Sequence, residues 1–256
     1  MYHYASLGWP GIKDVCAVGL CFCEADSGGL ICQPSNFWSN LGFVSVGLWV
    51  AGQQGWRRSR NQLHNQNLMT KGGFFPFFFA MLTLFVGLGS MYFHAGMTWW
   101  SGICDLLSMF LFVNFIIAYN LKRMYTWSNL SFLFFYIGLT VILMLPLLIQ
   151  PLSGKYAFMG LAVLAMTTEG LMQSPRRWAR WSKVSYLTFD RTWFALGVIS
   201  ILIAHTIWWL SRTGGPLCFP HSILQGHALW HLLASVAVIA IFRHYHSERT
   251  IVRSEE

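Results

Sequence analysis

Leu224-Gln225-Gly226-His227-Ala228-Leu229-Trp230-His231-Leu232-Leu233 opens an apolar run that continues to residue 243. A run of about 20 such residues is long enough to cross the hydrocarbon core of a bilayer as a helix. Its two histidines stand at i and i+4, so both imidazoles share one helix face, the spacing a metal ion needs from a single helix. A second apolar run ends in Ser90-Met91-Tyr92-Phe93-His94, again i, i+4, and a third begins around Cys104-Asp105. An aspartate inside a membrane helix costs roughly 2.5–3.5 kcal/mol on insertion scales, so its presence points to function.

Working outward, the whole chain has the composition of an integral membrane protein. It is 55% hydrophobic and 10% charged, against about 25% charged in an average soluble domain, and its mean hydropathy is +0.49. Seven apolar runs are predicted as spans, at 37–54, 74–95, 101–120, 128–150, 157–173, 190–210 and 224–243. The fold class is all-α, a seven-transmembrane helix bundle. Residues 1–36 form an N-terminal extramembrane segment, 37–243 the bundle and 244–256 a cytoplasmic tail. The apolar stretch 15–24 lacks a positively charged start, so it reads as part of the mature chain and not as a signal peptide.

The net charge of +8 does not mark a nucleic-acid protein, because the basic residues sit in short loops between apolar runs. Arg57, Arg58, Arg60, Lys71, Lys122, Arg123, Arg176, Arg177, Arg180 and Lys183 all fall on the side that carries the C-terminus. Lys13, Lys155 and Arg212 fall on the other. Positive-inside bias therefore gives N-terminus out and C-terminus cytoplasmic, in agreement with an odd number of spans. Five cysteines (Cys16, Cys21, Cys23, Cys32, Cys218) lie on the outward side, where disulfides persist.

With that topology, Ser90, His94, Asp105, His227 and His231 all come to the outer end of the bundle. Three neutral imidazoles and a water make a tetrahedral zinc site with an open position. Zinc lowers the pKa of bound water from 15.7 to about 7 and so supplies hydroxide at neutral pH. Ala228 stands where an HExxH motif would have its glutamate, so the base comes from another helix, and Asp105 is the candidate. Ser90 would donate a hydrogen bond to the oxyanion, and Trp230 would wall the pocket. The plainer alternatives are histidines that bond between helices, a serine bonded to its own helix, and an Asp105 that caps the third span at Trp100-Ser101-Gly102.

The set Gly89-Ser90-x-x-x-His94, Asp105-x-x-Ser108-Met109 and Gly226-His227-x-x-Trp230-His231 resembles the alkaline ceramidase family. Cys23-Glu24 and Gln33-Pro34-Ser35-Asn36-Phe37-Trp38-Ser39-Asn40 resemble its N-terminal segment, and the likeness runs in order over residues 21–235. The family belongs to a superfamily of seven-span, metal-dependent lipid hydrolases that also contains adiponectin- and progestin-type receptors. The resemblance implies zinc on His94, His227 and His231, Asp105 on the zinc water, Ser90 on the oxyanion, and cleavage of ceramide or a ceramide-like lipid from the membrane. It also implies a Cys23–Cys218 disulfide. Glu24 and Asp26 match acidic or polar positions of a calcium cluster, but Cys21 and Gln33 replace expected acids. That leaves a poor site for a cation wanting 6–8 oxygens.

Rival readings are an acyl-ester lipid hydrolase and a receptor that retains the metal site. A channel or transporter is disfavoured, because the polar residues gather at one end of the chain's topology. The lean loops suggest a bacterial plasma membrane with the site near its outer face, or an ER or Golgi membrane in a eukaryote. Glu169 reads as half of a surface pair with Arg176 or Arg177, and His244 as a tail residue without signal.

Overall fold

The computed structural model describes residues 14, 16, 21–59, 67–71, 73–149, 154–173 and 186–251. A short helix α1 (Pro34–Ser39) precedes seven long ones: α2 (Leu41–Ser59), α3 (Phe74–Gly96), α4 (Trp99–Tyr125), α5 (Asn129–Ile149), α6 (Gly154–Met172), α7 (Arg191–Leu210) and α8 (Gly226–Ser247). Two three-residue strands, β1 (Tyr186–Thr188) and β2 (Arg249–Ile251), pair antiparallel beyond the ends of α7 and α8. Among the described residues the regular structure is all helical apart from this pair.

Four of these helices, α3, α4, α7 and α8, are long and apolar enough to cross a membrane. Large apolar side chains face outward from the bundle, among them Phe134 (70% exposed) and Ile142 (68%) on α5. Water would penalise that surface, whereas lipid tails cover it.

The first predicted span differs in detail. Pro34 starts α1 at a position where its missing N–H is no loss, and the chain turns at Asn40 before α2 begins. That break turns Asn36 and Ser39, both buried, toward the ends of α3 and α8. The junction between α3 and α4 is tighter still. Met97 closes α3 in the left-handed conformation, and Thr98 caps α4 through a reciprocal box with Ser101. Asp105 therefore has no capping role; it sits in the second turn of α4.

The helices form an incomplete ring. α2 packs on α3, α3 on α4, α4 on α5 and α6, α7 on α8, and α8 on α2. Among the described residues α6 and α7 share at most marginal contact, and an internal cavity of about 690 Å³ lies between them and α8.

Candidate metal centre

Two helix ends converge beside one end of the cavity. His94 comes from the last turn of α3, and His227 and His231 from the first two turns of α8. Their ring centroids lie 4.4 Å (His227–His231), 5.1 Å (His94–His227) and 5.3 Å (His94–His231) apart. One nitrogen from each lies within 4.8 Å of the others. All three are buried, at 0% (His94), 8% (His227) and 3% (His231) exposure.

Hydrogen bonds behind the rings settle how two of them present themselves. Gln33 Oε1 accepts from Asn36 Nδ2 at 3.2 Å, and Gln33 Nε2 donates to the Glu24 carbonyl at 2.9 Å. The amide is thus held with its oxygen toward His94 Nδ1, 2.8 Å away. An acceptor there fixes the proton on Nδ1 and leaves Nε2 as a bare lone pair, and this buried Nε2 has no partner among the described residues. His231 is wired in the same way. The Ser39 hydroxyl donates to the Asn36 carbonyl at 2.9 Å, so its oxygen accepts from His231 Nδ1 at 2.8 Å. Among the described residues His231 Nε2 then meets only the Ser90 hydroxyl, at a long 3.5 Å. His227 Nδ1 is likewise buried without a partner among the described residues. Lone pairs oriented from behind by neutral acceptors suit a divalent cation.

Ser90 and Asp105 stand beside this trio. Gly89 allows it: a Cβ at that position would lie 3.1 Å from Ser108 Oγ and 3.2 Å from the Cys104 carbonyl. The bare backbone lets α3 and α4 approach closely and brings the Ser90 hydroxyl to the Asp105 carboxylate. Both line the cavity, as does half-buried Trp230, whose indole meets the His205 ring edge-on.

The segment before α1 straps across this end. Cys23 and Cys218 form a disulfide, as do Cys16 and Cys21. Ala25 N donates to the Pro220 carbonyl, and Cys32 N and Gln33 N donate to the Ala95 and His94 carbonyls. The strap lays Phe22 over the histidines, its ring 4.3 Å from His227 and 5.2 Å from His94. Glu24 is occupied otherwise: its two oxygens accept from the Ser35 and Asn36 backbone amides at 2.7 and 2.9 Å, capping α1. Asp26 is exposed and accepts from Gly28 N at 2.9 Å in a local turn. The two acids named for calcium thus each serve the backbone.

Phe22, Ser39 and the orienting role of Gln33 are not readable from spacing, since each is remote in sequence from the ring it touches. Nor is Asp14, which is 8% exposed, lines the cavity and couples electrostatically to Asp105.

Comparison with protein families finds a match to the family described as Ceramidase, over residues 20–256. Comparison with curated proteins finds no match.

Proposed function

The chain belongs to the ceramidase family, and from that premise we propose that it is an intramembrane zinc-dependent amidase acting on ceramide or a ceramide-like lipid and releasing the fatty acid. The family itself carries the coarser statement, a membrane-embedded hydrolase of lipid amides. The observation that supports the finer one is the wiring of His94 and His231, whose Nδ1 atoms are held from behind at a point where one nitrogen from each of three buried rings lies within 4.8 Å of the others. Three neutral imidazoles suit zinc. When bound there, a zinc ion supplies a water acidic enough to attack a carbonyl near neutral pH.

The side chains around that point divide the remaining tasks. Asp105 accepts the proton released as water attacks the amide carbon and delivers it to the nitrogen as the C–N bond breaks, giving a carboxylic acid and an amine. Ser90 donates to Asp105 at rest. Once Asp105 holds a proton it no longer competes for that hydroxyl hydrogen, which is free to turn to the carbonyl oxygen. Phe22 and the strap keep bulk water off the site. The lipid reaches it from the bilayer between α6 and α7, the side of the cavity where the described residues of the flanking helices do not pack closely on each other. Two disulfides at this end favour an oxidising compartment, which supports the outward orientation of the N-terminus.

The test is metal content of the purified protein, wild type beside His231→Ala, with cleavage of a fluorescent ceramide measured on the same samples. About one zinc per chain, lost in the variant together with cleavage, is the expected result. Metal-free wild type prepared without chelator would sink the reading.

A further inference from the structure

The cavity does not stop at the histidines. It continues between α4, α6, α7 and α8 past Ala162, Ala234, Ala237 and Val238, and its lining ends at Glu169, His244 and Tyr245. Along α8 the path from His231 to His244 covers thirteen residues, or about 20 Å at 1.5 Å per residue. One leaflet of a ~30 Å hydrocarbon core is only about 15 Å deep, so the tunnel is long enough for a long acyl chain.

Its end is of a different chemistry from its walls. Glu169 accepts from Arg123 at 2.6 Å and from His244 Nε2 at 2.7 Å, and Arg123 also pairs with Glu248 at 2.5 Å. Arg123, Glu169 and Glu248 are all buried, with side chains 2–7% exposed. Both Glu169 oxygens and both His244 nitrogens are engaged, so at those two residues the cluster asks for no polar ligand. A methyl terminus that reaches it meets a surface of buried ion pairs, and any longer chain has to break those paired charges.

Resting on the amidase reading above, we infer that this ionic floor is the ruler that fixes the longest acyl chain the enzyme accepts. Phe194 finishes the floor beside the ion pairs: it lines the cavity, and its ring lies 5.5 Å from that of His244. Ala162 stands on the α6 wall two helical turns above Glu169.

The experiment compares kcat/KM for N-acyl sphingosines of medium, long and very long chain in wild type, Ala162→Phe and Phe194→Ala. A phenyl at position 162 blocks the lower tunnel, so the long-to-medium ratio falls roughly tenfold or more. Removing the Phe194 ring deepens the floor without touching an ion pair, so the preference moves to longer chains. Metal content, unchanged in both variants, reports that the histidine end has kept its structure. Unchanged ratios in both variants, with wild type active, overturn the ruler alone. A wild type that cleaves no acyl amide of any length overturns the amidase reading, and the ruler falls with it. Should Ala162→Phe fail to fold, the shift in Phe194→Ala decides.

Discussion

The bundle buries histidine and acid at both ends, and wires them in opposite ways. At the far end His244 has both nitrogens engaged, Nε2 by Glu169 and Nδ1 by the Asp190 carbonyl at 3.3 Å. At the strap end His94 and His231 each have Nδ1 held, while among the described residues His94 Nε2 has no partner and His231 Nε2 has only a long 3.5 Å contact to the Ser90 hydroxyl. A buried polar group without a partner is destabilising, and His94 Nε2 and His227 Nδ1 are two such atoms among the described residues. The far cluster is the contrary case, in which both His244 nitrogens and both Glu169 oxygens are engaged and the gain is in fixing α4, α6 and α8 at one register. The burial of a histidine says little about its role. Whether its second nitrogen is occupied says much more.

Two substitutions break this contrast from either side. Arg123→Met strands Glu169 and Glu248 as buried carboxylates without their cation, and should lower stability by about 3–5 kcal/mol. Unfolding in detergent measures it, with metal affinity of the folded fraction unchanged. His231→Ala should do the reverse. It should lose metal and more than roughly a thousandfold in kcat, while the Ser39 hydroxyl keeps its bond to Asn36 and stability changes by less than about 2 kcal/mol. Equal destabilisation by the two variants would erase the distinction.

The orienting bonds sharpen it further. Gln33→Leu and Ser39→Ala each leave a ligand ring free to turn or change tautomer, which should weaken metal binding about 10–100-fold with helix content intact. Competition against a chelator reads this directly. A Gln33→Leu protein that holds its metal as tightly as wild type would show that packing alone aims His94.

How far the sequence alone reached follows from the same physics. The apolar runs of α3, α4, α7 and α8 were legible because a helix that crosses lipid must be apolar along its whole length. The i, i+4 pair on α8 was legible because its geometry is local. The far cluster was not: Arg123, Glu169, His244 and Glu248 come from α4, α6, α8 and the residue after it, and no short spacing joins them. Glu169 is not a surface residue but 3% exposed and paired with Arg123. Arg176 and Arg177, its expected partners, lie outside the described residues. His244 is no tail residue either, since α8 continues to Ser247 and buries it. The polar residues are therefore not confined to one end of the bundle. At the strap, the resemblance supplied the motif residues, while Phe22, Ser39 and Asp14 needed the folded chain.

Asp14 offers the smallest effect. It lies outside the helices and packs on the bare backbone of Gly102. Burial pushes its carboxyl above the usual range, and the bond from Cys16 N only partly offsets this. The folded protein therefore holds this proton to higher pH than the unfolded chain does. Its contribution to holding the strap is complete below the ordinary carboxylate range and is lost as pH rises through the raised value. The substitution Asp14→Asn imitates the protonated form at every pH. Hydrogen exchange across residues 21–33, corrected for intrinsic rates, should show protection falling from acid toward neutral pH in wild type and staying level in the variant. Parallel slopes in the two proteins would mean that the strap's hold is indifferent to this carboxyl and rests on the Cys23–Cys218 bond and the backbone contacts to α3.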